Sequence, residues 1–109
     1  MYKRHYTPSI IKQHTGSGTE HRIYHFENGY GASVVPEYDG YDLATNRLVV
    51  TKGPCNLELA VVYWDNQDNY HLLDWNHPVV RDQLGLGDNP VRRLTSSMVD
   101  QLLDQIAAL

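Results

Sequence analysis

Short β-prone runs fill the first three quarters of the chain, and a single helical stripe closes it. His21 to Phe26 and Tyr30 to Val35 are rich in aromatic and β-branched residues, with Glu27-Asn28-Gly29 between them. Asn-Gly accepts the positive φ angles of tight hairpin turns, so this spacing predicts a β-hairpin. With Asn28-Gly29 as a two-residue loop, Phe26 faces Gly31 and its ring covers the bare glycine. Tyr24, Phe26 and Val35 then share one face, and Ile23, His25, Ala32 and Val34 the other; a three-residue loop shifts this register.

Leu57 to Trp64 is the strongest strand. Its odd positions are apolar throughout, and its even positions are polar only at Glu58. A run apolar on both faces predicts a central strand. Asp65 to Asn69 is a polar turn, and Tyr70 to Leu73 returns as the partner. Leu48 to Thr51 is a further short β-prone run. Pro36 to Asn46 reads as a surface loop, and Asp74 to Arg93, punctuated by proline and glycine, as irregular chain with at most one helical turn near Val79 to Leu84. Met98, Val99, Leu102, Leu103 and Ile106 recur at helical spacing after the capping residues Thr95, Ser96 and Ser97, with Ser97 and Asp100 placed as a capping box. The expected fold is α+β: an antiparallel meander of about four or five strands with a C-terminal amphipathic helix on one face.

Length places residues 1–109 in a single domain, with 1–19 an arm or edge strand and 95–109 the helix. A net charge of −4 speaks against a dominant phosphate-binding role, so a nucleic-acid partner is not expected. One cysteine, Cys55, permits no internal disulfide and fits a reducing compartment. It reads as a buried or half-buried structural thiol. The N-terminal residues lack a signal-peptide core, and no apolar run spans a bilayer, so the expectation is a cytoplasmic protein without a membrane partner. Tyrosine supplies eight of the aromatic residues, a type suited to half-buried sheets and binding faces.

The segments Phe26-Glu27-Asn28-Gly29-Tyr30-Gly31-Ala32-Ser33-Val34-Val35 and Leu57-Glu58-Leu59-Ala60-Val61, with a helix ending Ile106-Ala107-Ala108-Leu109, resemble a group of small uncharacterised proteins of tailed bacteriophages and prophages. The resemblance implies phage origin and expression in the cytoplasm of a bacterial host. It implies no active site.

Several clusters are candidates for chemistry. His21 and His25 share a strand face but lie about 13 Å apart at about 3.3 Å per residue, too far for one metal ion. His71, Asp74 and His77 surround Trp75 with ligand types that suit zinc, or a histidine-assisted hydrolase, although a fourth ligand is not evident. No cofactor is expected. Glu37, Asp39 and Asp42 alternate with Tyr38 and Tyr41 in the long loop without a calcium-loop pattern.

The aromatic surplus changes the picture most. One helix covers one face of a small sheet, yet apolar residues occupy both faces. The second face therefore calls for cover by the chain's own arm or loop, a second copy in a homodimer, or another host or phage protein. For a protein contact the candidate residues are Tyr24, Phe26, Tyr38, Asp39, Tyr41, Asp42 and Trp64. The expectation is a non-enzymatic, protein-binding phage accessory protein, in concrete form an inhibitor of a bacterial defence system of anti-CRISPR or anti-restriction type. The alternatives are the hydrolase and, more weakly, single-stranded nucleic acid binding through exposed aromatics.

Overall fold

The structure, a computed structural model, describes residues 6–13, 20–51 and 53–109, without the side chains of Gln13, Tyr38, Asp39, Tyr41, Arg47, Leu48 and Val50. The described residues form eight strands and one α-helix: β1 (Ile10–Gln13), β2 (Glu20–His25), β3 (Tyr30–Pro36), β4 (Tyr38–Asp42), β5 (Arg47–Val50), β6 (Leu57–Trp64), β7 (Tyr70–Leu72), β8 (Val91–Leu94) and α1 (Ser96–Ala107). Six strands form one antiparallel sheet in the order β1-β2-β3-β6-β7, with β8 also paired to β6. The α+β architecture read from the pattern is the one adopted, and β6 is its central strand.

The first hairpin takes the longer of its two possible loops. Tyr24 pairs with Ala32 and His25 with Gly31, and the Phe26 N–H donates to the Tyr30 carbonyl at 2.9 Å. The loop is therefore Glu27-Asn28-Gly29, closed by the Gly29 N–H on the Phe26 carbonyl, with Gly29 at φ +86°. A type I turn followed by a left-handed glycine is the usual three-residue solution. The two-residue register is thus corrected: Tyr24, Ala32 and Val34 share one face, while Ile23, His25, Gly31 and Val35 share the other. Gly31 lies under Trp64 rather than Phe26.

Two further expectations are corrected. The supposed loop 36–46 contains β4, which pairs with β5 in a separate hairpin. The supposed irregular segment 74–93 contains β8 as well as a short π-helical turn, Val79–Gln83. Both strands are short and carry weak alternation, so pairing rather than pattern defines them.

β7 and β8 share one edge of β6, β7 along Val62 to Trp64 and β8 along Leu57 to Leu59. Val61 falls in the gap between them, and the buried Asn89 side chain fills it. The Val61 N–H donates to Asn89 Oδ1 at 2.8 Å, and Asn89 Nδ2 donates to the carbonyls of Val61 at 3.0 Å and Leu73 at 2.8 Å. A primary amide carries the same donor and acceptor as a peptide group, so it completes the ladder where no strand reaches.

On the first face, α1 packs against β3, β6 and β8. Val99, Leu103 and Ile106 are buried against Tyr24, Ala32, Val34, Leu59 and Val61. Thr95 caps the helix, accepting the Met98 N–H at 3.1 Å, so the Ser97–Asp100 box is not the cap used; Met98 itself is exposed. The helix C-terminus is held by the hairpin loop. Asn28 Nδ2 reaches the carbonyls of Ile106, Ala107 and Leu109 at 2.8, 3.2 and 3.2 Å, satisfying groups that a helix end leaves unpaired. Tyr6 donates to Asp104 at 2.8 Å on the same side.

The second face is shielded differently. Ile23 is 0% and Val62 2% exposed, and neither belongs to the core beneath the helix. The Lys12 ammonium on β1 sits 5.8 Å from the ring centre of Tyr70 on β7. In a flat sheet at about 4.8 Å per strand these two strands lie about 19 Å apart. The sheet is therefore strongly curled, with this face inside the curl.

Candidate functional site: the aromatic end of the sheet

β6 ends in Tyr63-Trp64, and strand alternation sends the two rings to opposite faces. The sheet thus presents aromatic surface on both sides at one end.

On the helix side, Tyr63 stacks on His71, with ring centres 5.0 Å apart and planes at 26°. An open groove of about 470 Å³ runs beside them, lined by Asn28, Gly29, Tyr30, Tyr63, Leu73 and His77. Tyr63 is 41% exposed. Trp75, 56% exposed, projects from the turn between Leu73 and His77, which the His77 N–H closes on the Asp74 carbonyl at 3.0 Å.

The polar groups here are engaged. His71 Nε2 hydrogen-bonds Asp65 Oδ2 at 2.8 Å, while Asp65 Oδ1 accepts the N–H groups of Gln67 at 2.9 Å and Asn69 at 3.0 Å. These bonds, the one from His71 foremost, hold the Asp65 carboxyl below the usual carboxylate range. His77 Nδ1 accepts the Val79 N–H at 3.1 Å, which leaves Nε2 as the protonated nitrogen of the neutral ring. The arrangement offers flat, partly apolar rings whose polar neighbours His71, Asp65 and His77 are hydrogen-bonded.

On the other side, the Trp64 indole crosses Gly31 and donates from Nε1 to the Tyr24 carbonyl at 2.9 Å. A Cβ on residue 31 would overlap that carbonyl oxygen and lie 2.6 Å from Nε1. The His25 ring stacks on Trp64 at 4.4 Å and 9°, and Tyr70 flanks it at 5.3 Å.

The residues singled out from sequence are scattered by this geometry. Tyr24 is only 5% exposed beneath the helix, and burial raises its phenol above the ordinary value against the pull of Arg22. Phe26 packs edge-on against Tyr6 at 5.1 Å. Asp42 Oδ1 accepts the Ala44 N–H at 2.9 Å in the β4–β5 turn. The side chains of Tyr38, Asp39 and Tyr41 lie outside the described residues. Trp64 is half-buried in its stack. His71, Asp74 and His77 do not converge, since His71 turns to Asp65 and His77 to Val79. Among the described residues no group of three or more His, Cys, Asp or Glu side chains is placed to hold a metal ion. Cys55 is exposed rather than buried.

A second cleft, about 450 Å³, lies between β2 and the start of α1. Its guanidinium, Arg22, is bonded to Glu20 at 3.0 Å.

Sequence reasoning passed over Tyr63 and Trp75. Tyr63 was hidden by its place in an apolar alternation, although an aromatic pair directly before a polar turn marks a strand end open to solvent. Trp75 sits in a segment with no periodicity to orient it.

Comparison of the chain with protein-family models, with curated proteins and with solved structures finds no match in any of the three. No helix among the described residues is long and apolar enough to cross a membrane.

Proposed function

We propose that this chain is a non-enzymatic protein-binding protein whose contact surface is the groove at the helix-side end of the sheet. The observation that carries this reading is the exposure of Tyr63 in that groove, with exposed Trp75 in the turn between the lining residues Leu73 and His77. Tyrosine and tryptophan are the side chains that most often dominate binding energy when a partner desolvates them. Asn28, Tyr30 and His77 supply polar points at the rim, and the acidic chain favours a partner with basic character. The phage resemblance gives the reading its concrete form: an accessory protein acting in the bacterial cytoplasm, inhibiting a host defence system of anti-CRISPR or anti-restriction type.

The test is affinity capture from bacterial lysate with the native chain and with a Tyr63→Ala/Trp75→Ala variant, followed by binding measurements on the purified candidate. The expected result is one partner whose affinity falls at least about 30-fold in the variant, the scale of a lost aromatic anchor. Its companion is a plating assay in which expression of the native chain, but not the variant, protects a phage from a restricting or CRISPR-bearing strain. Capture that is indifferent to both substitutions would refute the reading.

A further inference from the structure

We propose that the aromatic ladder on the inner face of the curl, His25–Trp64–Tyr70 with Lys12 at its end, binds single-stranded nucleic acid. This goes beyond the protein-binding groove and uses the opposite face of the sheet.

Charge is the first argument. The net −4 of the chain is the sum of two unlike parts. Residues 1–25 hold Lys3, Arg4, Lys12 and Arg22 and four of the six histidines against the lone Glu20, while every other carboxylate follows them. On the inner face of the described strands, Lys12, His21 and His25 meet one carboxylate, Glu58. Glu58 pairs with Val35, six positions along β6 from Trp64. The strand positions of this face are therefore less acidic than the chain as a whole, with Asp65, engaged by His71, and Asp68 in the turn that joins Trp64 to Tyr70.

Geometry is the second. His25 and Lys12 are exposed, and Trp64 and Tyr70 are half-buried. The His25 ring, parallel to the indole and exposed, extends the pile from Trp64 toward solvent. A base stacked there continues a column already built, and the strand backbone can run toward the ammonium that lies over Tyr70. The ladder is also rigid. The indole is fixed by its bond to the Tyr24 carbonyl and seated against Gly31, so little ordering is required on binding. Base stacking demands unpaired bases, which selects a single strand over a duplex.

The experiment is fluorescence anisotropy with a fluorescein-labelled oligothymidylate of about a dozen nucleotides. The expected result is saturable binding at about 20 mM salt that weakens about tenfold by about 200 mM, as release of one or two counterions requires. Lys12→Glu should weaken it at least about tenfold, and His25→Ala about fivefold. Both replace exposed side chains, and unfolding curves of each variant confirm the fold. Quenching of indole emission should persist in Trp75→Phe, which leaves Trp64 as the sole indole. Absence of binding at low salt, equal binding by both variants, or equal affinity for a DNA duplex overturns the proposal. Equal affinity for a polyglutamate peptide also overturns it, and assigns the face to an acidic protein instead.

Discussion

The two faces of the sheet are buried by different means. The first is covered by a separate element: α1 lays Val99, Leu103 and Ile106 over β3 and β6, and Asn28 and Tyr6 tie the helix down. Among the described residues the second has no such lid, yet Ile23 and Val62 are as dry as the residues under the helix. There the sheet shields itself by coiling until β1 and β7 come within reach of one side-chain contact. Right-handed strand twist accumulates across a narrow sheet, so a small number of strands can turn apolar surface inward without a second layer. An apolar surplus counted along strands thus overstates the surface left for partners. Among the described residues the aromatic end keeps exposed rings, Tyr63 on the helix side and His25 on the other, with Trp75 in the turn after β7.

If both faces are cores, truncating either should cost alike. Leu103→Ala and Ile23→Ala are each expected to destabilise the fold by about 3 kcal/mol in urea unfolding, the usual range for a fully buried aliphatic. A loss below about 1 kcal/mol for Ile23→Ala would mean that the curl closes only loosely.

Asn89→Ala tests the joint that the two faces share. It removes the partner of the Val61 N–H and of the Leu73 carbonyl, while the Val61 carbonyl keeps the Leu73 N–H at 3.2 Å, with an expected cost of about 2–3 kcal/mol. The same change should speed hydrogen exchange at Val61 ahead of Leu59, because the plug opens before the ladder does.

Asn28→Ala tests the helix side together with the hairpin turn, where Asn28 Oδ1 accepts the Tyr30 N–H at 2.9 Å. Removing the amide that holds the carbonyls of Ile106, Ala107 and Leu109 should cost about 1 kcal/mol. Exchange should rise in the last turn of α1 while Ile23 and Val62 stay protected. Equal loosening of both faces would show that they unfold as one unit.

The smallest effect lies at the polar turn of the aromatic end. The Asp65 carboxyl is held below its unfolded value by His71 and two backbone amides. Its contribution is therefore complete above about pH 4, where the unfolded carboxylate titrates, and disappears as pH falls through the lower folded value. Acid unfolding of Asp65→Asn compared with the native chain should show the difference narrowing as pH drops, and nuclear magnetic resonance should show the Gln67 and Asn69 amides shifting together.

Legible in the order of residues are the elements whose period is long or whose turn chemistry is explicit. The five-residue stripe from Met98 to Ile106 specifies an amphipathic helix, the doubly apolar run Leu57 to Trp64 specifies a central strand, and Glu27-Asn28-Gly29 specifies a reversal, because each is a local consequence of spacing and backbone preference. The loop length at that reversal was open to two registers, and only the pairing with β6 and the capping of α1 by Asn28 fixed it at three residues. β4 and β8 have too few positions for a period to show. Asn89 reads as turn composition until the ladder leaves a gap for its amide. The curl, the ladder of His25, Trp64 and Tyr70, and the open groove beside Tyr63 bring together residues from up to four strands. Their meeting is a property of twist and register, and no stretch of chain encodes either alone.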